Sequence, residues 1–337
     1  MLQKLSKAFG PSGYEDEVRD IIKSEMKNFC DEMYEDCIGN LICHKKGTLV
    51  DGKSIMLTAH MDEVGFIISY ITSDGYLKFQ TVGGIDPNVL ISKKIVIGDS
   101  RVFGVIGTKP IHQNKDGNGN IKISDLFIDI GVKSKEDALK YVSTGDYACF
   151  DSGYVEFGDG FVKAKALDDR VGCYNLINIA KRKPGADIYY VFAVQEEVGH
   201  RGAIVASKKI DPAFAIILEG TTCSDVPGTD EFGFSTHIGE GVALSMRDGG
   251  CYSDVELTSE IKEFADKNEI KCQYKQTTLG GNDASAVQLS NNGVKVAALS
   301  VPCRYIHSQS NVAKLCDIKA MEELLYTFIE SKVKNND

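Results

Sequence analysis

The stretch YYVFAVQEEVGHRGA, Tyr189 to Ala203, puts an apolar run and a pair of like charges in direct succession. Its six apolar residues, followed by Gln195, have the composition of a buried strand. Glu196 and Glu197 come next, then Gly199, and RGAIVASKKI beyond them reads as a helix. Adjacent glutamates are ordinary on a solvated helix face. At the end of a buried strand they are costly, because each carboxylate disfavours ionisation of the other. The pair therefore needs a reason.

The strand–helix rhythm extends on both sides. After Lys165, DDRVGCYNLINIAKR is a helix, DIYYVFAVQ a strand, RGAIVASKKI a helix and AFAIILE a strand. SDVELTSEIKEFADKNEI is then a helix, VKVAALSVPC a strand, and DIKAMEELLYTFIESKV the closing helix. Towards the N terminus, PSGYEDEVRDIIKSEMKNF carries Val18, Ile21, Ile22, Met26 and Phe29 at helical spacing. Ser12, three residues ahead of Glu15, has the spacing of a capping box there. GNLICHKKG is a strand running into a turn, and KSIMLTAHMDEVG a strand that ends at His60. Near-continuous apolar strands alternating with helices predict an α/β domain whose mainly parallel sheet has helices on both faces.

From Val64 to Val162 the texture changes to short β-rich runs punctuated by Asp-Gly, Gly-Gly and Gly-Asp turns. Only SKEDALKYV looks helical within it. This predicts an inserted all-β module, a small barrel. The expected division is residues 1–63 with 163–337 as a discontinuous catalytic domain, and 64–162 as the insert.

Composition bounds the partners. A net charge of −10, with no Lys/Arg cluster interleaved with aromatics, argues against nucleic acid. No apolar run approaches the roughly 18 residues a membrane span needs. The opening MLQKLSKAFGPSGYEDEV lacks an apolar core of signal-peptide length. The ten cysteines are scattered without a C-x-x-C and read as reduced thiols, several of them in the core, rather than as a zinc site. A cytoplasmic location is expected.

Four apolar strands run out into the same kind of residue. IMLTA leads to His60 and Asp62, YYVFAVQ to Glu196 and Glu197, FAIIL to Glu219, and VAALSVPCRYI to His307. Sites in open α/β sheets form at the carboxyl ends of the strands. Carboxylates gathered there would repel one another, and a divalent cation removes that penalty. Asp168, in KALDDRVG at the start of a helix, is a fifth candidate ligand or else a helix N-cap; Asp169 could fill the cap instead. Singly, each residue has a bland alternative, a packed histidine or a strand-end surface glutamate, and only their joint occurrence points to a metal. His44, beside two lysines, and His112, in a polar loop, read as solvated, whereas His200 and His237 could line the crevice without binding metal. LGGNDASA, Leu279 to Ala286, lacks the spacing and lysine of a phosphate loop and reads as a tight turn bordering the pocket.

Taken together, HMDEVGF, ALDDRVG, QEEVGHRGA, LEGTTCSDVPG and CRYIHS resemble the tetrahedral aminopeptidases. These are the glutamyl- and leucyl-aminopeptidase-like enzymes, peptidase family forty-two of the metallopeptidases. The resemblance spans essentially the whole chain. The insert between His60 and Asp168 sharpens it, because related carboxypeptidase-like families carry their extra domain between the fourth and fifth ligands. The resemblance implies that Asp168 bridges two divalent ions, zinc, cobalt or manganese. His60 and Glu219 would complete one site, and Glu197 and His307 the other. Glu196 would be the general base, and Asp62 would hold His60 from behind. Many relatives have Asp where Glu219 stands, which sets this carboxylate one methylene further out. The resemblance also implies a barrel that mediates dimerisation, and a homo-oligomer that reaches a tetrahedral dodecamer.

On this reading one glutamate would bind metal while its neighbour handles protons. Two divalent ions bring four positive charges against three from Asp168, Glu197 and Glu219, and a bridging hydroxide would complete the balance. Metals about 3.5–4 Å apart activate water and polarise a peptide carbonyl. The acidic, metal-bearing crevice would draw the free amino terminus of a short peptide. Two other classes compete with this reading. A glycoside hydrolase could use paired carboxylates, although adjacent strand-end glutamates are badly placed to flank a sugar ring and the chain has no Trp. A non-catalytic binding module on a peptidase fold would be expected to have lost ligands or the base, and every position here is filled.

Overall fold

The computed structural model describes residues 1–110 and 121–334. Helices α1 (Leu2–Lys7) and α2 (Asp16–Met26) lead into strands β1 (Glu32–Glu35), β2 (Leu41–Lys45) and β3 (Ile55–His60). The insert contributes β4 (Gly65–Ile71), β5 (Leu77–Val82), β6 (Lys94–Ile97), β7 (Val102–Thr108), β8 (Leu126–Asp129), the short helix α3 (Lys135–Ala138) and β9 (Tyr147–Phe150). A hairpin of β10 (Val155–Phe157) and β11 (Phe161–Ala164) follows. Next come α4 (Leu167–Lys181), β12 (Ile188–Ala193), α5 (Arg201–Lys209), β13 (Ala215–Thr222) and β14 (Val242–Ser245). The chain closes with α6 (Val255–Lys267), β15 (Cys272–Tyr274), α7 (Ala284–Gln288), β16 (Val296–Cys303), β17 (Asn311–Lys314) and α8 (Leu315–Lys334).

The main sheet has eight strands in the order β1-β2-β12-β3-β13-β16-β14-β15. Its centre, β12-β3-β13-β16, is wholly parallel, and antiparallel neighbours flank it. β3 is buried along its whole length because it faces two cores. Ile55, Leu57 and Ala59 pack towards Leu5, Ile22, Leu176 and Phe328 of α1, α2, α4 and α8. Met56 and Ile217 pack on the other face with Ala203, Ala206 and Val287 of α5 and α7. Two-sided burial explains why these strands show no polar alternation.

The insert is a closed barrel in the order β4-β5-β8-β7-β6-β9, as its turn-punctuated sequence predicts. It has its own core, in which Phe66 meets Phe79 and Phe150 edge-to-face, each at 5.2 Å. The hairpin β10–β11 pairs with β17, and Val162 and Ala164 sit in the core of the main domain.

Three local expectations are corrected. Ser12 does not cap α2, which begins only at Asp16; residues 11–14 instead turn back along the β3 end, with Ser12 N donating to Glu63 O at 3.3 Å. The Ser12 hydroxyl donates to Asp62 at 2.6 Å, and the Glu15 carboxylate accepts from Gly13 N and Gln195 N. His44 is not solvated: it bonds to Asp187 at 2.8 Å and stacks on Tyr189 at 4.0 Å, because it points back along the antiparallel β2–β12 pair. Glu219 lies three residues inside β13 rather than at its end, since β13 continues beside β16 to Thr222. Its pairing with β3 nevertheless stops at Ile217, so Glu219 stands where the two strands part. His112 lies outside the described residues.

Candidate metal centre and active site

The structure gathers all seven residues singled out in the sequence at the carboxyl edge of the parallel strands. His60 Nε2 is 3.1 Å from Glu219 Oε1, 3.5 Å from Asp168 Oδ1 and 3.9 Å from Glu196 Oε2. His307 Nε2 is 3.2 Å from Glu197 Oε1 and 3.6 Å from Asp168 Oδ2. The Asp168 carboxylate thus turns one oxygen to each imidazole. Three overlapping triads have ligand atoms close enough to hold an ion: His60–Asp168–Glu219, Asp168–Glu197–His307 and His60–Glu196–Glu197.

Local chemistry puts them there. Asp168 and Asp169 both leave helical geometry at the start of α4. Asp169 takes the capping role, accepting from Gly172 N at 2.8 Å and from His60 N at 3.2 Å, which frees Asp168 for the crevice. Gly220 makes the close approach possible: a Cβ there would stand 2.8 Å from Asp168 Cα. Asp62 does more than support His60. Its carboxylate accepts from Glu196 N at 3.0 Å, Glu197 N at 3.1 Å and the Ser12 hydroxyl at 2.6 Å, fixing the backbone of the glutamate pair. His60 Nδ1 lies 3.1 Å from the Asp62 carbonyl and 3.3 Å from its carboxylate.

His307 Nδ1 has a carbonyl partner too, Gly84 O at 2.7 Å, in the barrel module. A carbonyl only accepts, so each Nδ1 carries the hydrogen and each Nε2 offers a lone pair to the crevice when the ring is neutral.

Among the described residues, the ion-pair partners of Asp168, Glu196, Glu197 and Glu219 are imidazoles only. Burial pushes Glu197 up to about 7 and Glu219 well above the usual carboxylate range. Burial also opposes charge on His60 and His307, but the surrounding carboxylates win, drawing His60 well up and His307 to about 11. At Asp62 and Asp168 burial is again outweighed, by His60 and Ser12 in one case and by both histidines in the other, and both are held low. Asp168 Oδ1 and Glu219 Oε2 are buried without any hydrogen-bond partner among the described residues. Hard oxygen donors, two imidazole lone pairs and two orphaned carboxylate oxygens fit divalent cations, which would displace the protons the bare cluster attracts.

Sequence reasoning missed several neighbours. Ser12 has the spacing of a cap, and nothing in that spacing points to Asp62. Asn40 is wholly buried and clamps the β12 end, accepting from Val194 N at 2.9 Å and donating to Gly202 O at 2.9 Å. The LGGNDASA turn brings Asp283 into the interior and sets Gly281 beside the His200 ring. His200 itself touches Glu196, whereas His237 packs edge-on to Phe234.

Comparison with known proteins agrees with this geometry. The M42 glutamyl aminopeptidase family model matches residues 39–324. The lysyl aminopeptidase of Pyrococcus furiosus is 33% identical, with 98% of this chain and 96% of that protein covered. A TET aminopeptidase structure from the marine sediment archaeon Thaumarchaeota archaeon SCGC AB-539-E09 superposes with a TM-score of 0.94 at 32% identity, covering 99% and 97% of the two chains. The Pyrococcus horikoshii TET1 peptidase, described as able to assemble into a tetrahedron or a large octahedral shell, gives 0.86 at 33% identity, with 97% and 98% covered. Fold, donor set and matches together define a metal-dependent exopeptidase. The chain belongs to the M42 glutamyl aminopeptidase family and is an aminopeptidase, a hydrolase acting at peptide N termini.

Proposed function

We propose that this aminopeptidase is dinuclear and acts on short peptides. Asp168 would be shared between two cations, with His60 and Glu219 completing one site and Glu197 and His307 the other. One observation carries this reading: the Asp168 carboxylate addresses both imidazoles, one oxygen each, and its buried Oδ1 has no hydrogen-bond partner among the described residues. Bound there, two divalent ions such as zinc, cobalt or manganese would supply Lewis acidity towards water and a peptide carbonyl.

Glu196 is the general base, taking a proton from the attacking water and handing it to the leaving amine. Asp62 holds the Glu196 and Glu197 backbone, so that the two side chains take different directions from adjacent positions. The acidic crevice attracts the ammonium of a substrate's N-terminal residue. The family description says glutamyl and one relative is a lysyl enzyme, so the preferred side chain is set by loops outside the shared ligands.

A homo-oligomer built through the insert, from dimer to tetrahedral dodecamer, is supported by the TET structures and by Tyr70, Phe103, Leu139 and Tyr141 exposed on the insert. Residues 64–162 would be that assembly domain, and residues 1–63 and 163–337 the catalytic one. Free thiols at all ten cysteines support a cytoplasmic enzyme.

The test is hydrolysis of aminoacyl-p-nitroanilides, free and N-acetylated, by metal-depleted protein with zinc, cobalt or manganese restored. Metal-dependent cleavage of the free amines alone is expected. Cleavage of a cellulose-derived substrate in chelator, with no anilide cleaved under any metal, would overturn the proposal.

A further inference from the structure

The two oxygens of Glu196 face different partners. Oε2 looks towards His60 at 3.9 Å, and Oε1 meets His200 Nε2 at 3.1 Å. The far side of the His200 ring is also occupied, with Nδ1 2.9 Å from the hydroxyl of Ser285 in α7. That hydroxyl lies 3.0 Å from the carbonyl of Asn282. A hydrogen-bonded chain therefore runs from Glu196 through the imidazole and the serine to the backbone of the LGGNDASA turn.

We propose that His200, seated on Ser285, is a positioning residue for the hydrolytic reaction, fixing the Glu196 carboxylate so that Oε2 faces the crevice. This rests on the reading of Glu196 as general base.

Its polarity follows from the donors available. A carboxylate only accepts, so Nε2 carries a hydrogen aimed at Oε1. The Ser285 proton can serve either Asn282 O or Nδ1, and in both arrangements the Nε2–H bond to Glu196 is kept. When Ser285 donates to Asn282, the ring can hold both protons, and the bond to Glu196 becomes charge-assisted. The bond to Glu196 does draw the His200 ring towards its charged form.

The surrounding chain is built for this contact. Glu196 to His200 forms one tight turn, with Gly199 N and His200 N both bonding Glu196 O at 2.9 Å. Gly199 (φ 118°) and His200 (φ 55°) adopt left-handed backbone there, turning the chain back on the glutamate. The opposing loop passes close to the ring at Gly281, where a Cβ would stand in ordinary van der Waals contact, 3.8 Å from His200 Cε1. Asp283, in the same loop, is 1% exposed and its oxygens have no hydrogen-bond partner among the described residues, leaving Ser285 to orient Nδ1.

The experiment compares His200→Leu, His200→Gln and Ser285→Ala in the full, metal-loaded protein. It measures kcat and KM on the best free-amine anilide, bound metal per chain, and imidazole 15N shifts in metal-free protein. His200→Leu should lower kcat about tenfold with KM within about twofold, since a displaced base slows chemistry more than binding. His200→Gln, whose amide can donate to Oε1, should recover to within about threefold of wild type, with Ser285→Ala in between. Metal content should not change, and the His200 Nε2 resonance should move on Glu196→Gln. Unaltered kcat in His200→Leu, equal loss in both His200 variants, or loss of metal would each overturn the proposal. Wild-type kcat in Glu196→Gln would instead remove the base itself, while the 15N response would still report whether the contact exists.

Discussion

Asp62 is where single-atom substitution should cost most. Its carboxylate accepts two backbone N–H bonds and one hydroxyl bond while wholly buried. Asp62→Asn turns one acceptor oxygen into a donor facing donors. It should lose about 1–3 kcal/mol of stability in thermal unfolding and about 10–100-fold in metal affinity by titration. Glu15 is the opposite case. Burial, with the Asp62 charge adding, pushes it up to about 7. A raised carboxyl destabilises the folded state once it ionises, so the penalty is absent below the unfolded value near 4.5, grows between pH 5 and 7, and is complete above. Glu15→Gln keeps an acceptor for Gly13 N and Gln195 N. It should therefore stabilise metal-free protein by up to about 3 kcal/mol at pH 8 and have little effect at pH 5. An equal gain at both pH values would show that charge is not the cause.

At the scale of elements, the site depends on how strands part and helices begin. Gly220 lets β13 pass beneath Asp168, and Gly220→Ala would put a Cβ 2.8 Å from Asp168 Cα. Displacement of Asp168 should weaken metal binding at least about tenfold, comparable to losing a supporting contact. Cobalt absorption spectra of the variant should show the altered ligand field, and an unchanged spectrum would contradict the role given to Gly220. The elements themselves were largely legible, because β3, β12, β13 and β16 are buried on both faces and so appear as unbroken apolar runs. β1 and β15 were not legible: EMYE and CQY are short, polar edge strands whose pairing comes from their neighbours. The candidate ligands could be found because each follows an apolar run or opens a helix. Ser12, Asn40 and His200 could not be assigned, since their partners are distant in sequence or set by a turn, and only the folded chain brings them together. The end of β13 is not legible for a related reason, its extension to Thr222 being set by pairing with β16.

For the whole molecule, the insert and the catalytic sheet meet at the site, where Gly84 of the barrel module holds His307. Metal binding should therefore report on both units. Saturating metal at about a thousand times its dissociation constant should add about 4 kcal/mol to unfolding, raising Tm by several degrees for a chain of this size. A Tm indifferent to chelator would mean that the carboxylate cluster is balanced some other way. The central claim, two cations sharing Asp168, is tested most directly by metal bound per chain in wild type, His60→Ala, His307→Ala and Asp168→Ala. The account predicts two ions in wild type, one after loss of either histidine, and fewer than one without Asp168. A single ion in wild type, or two retained in Asp168→Ala, would contradict it.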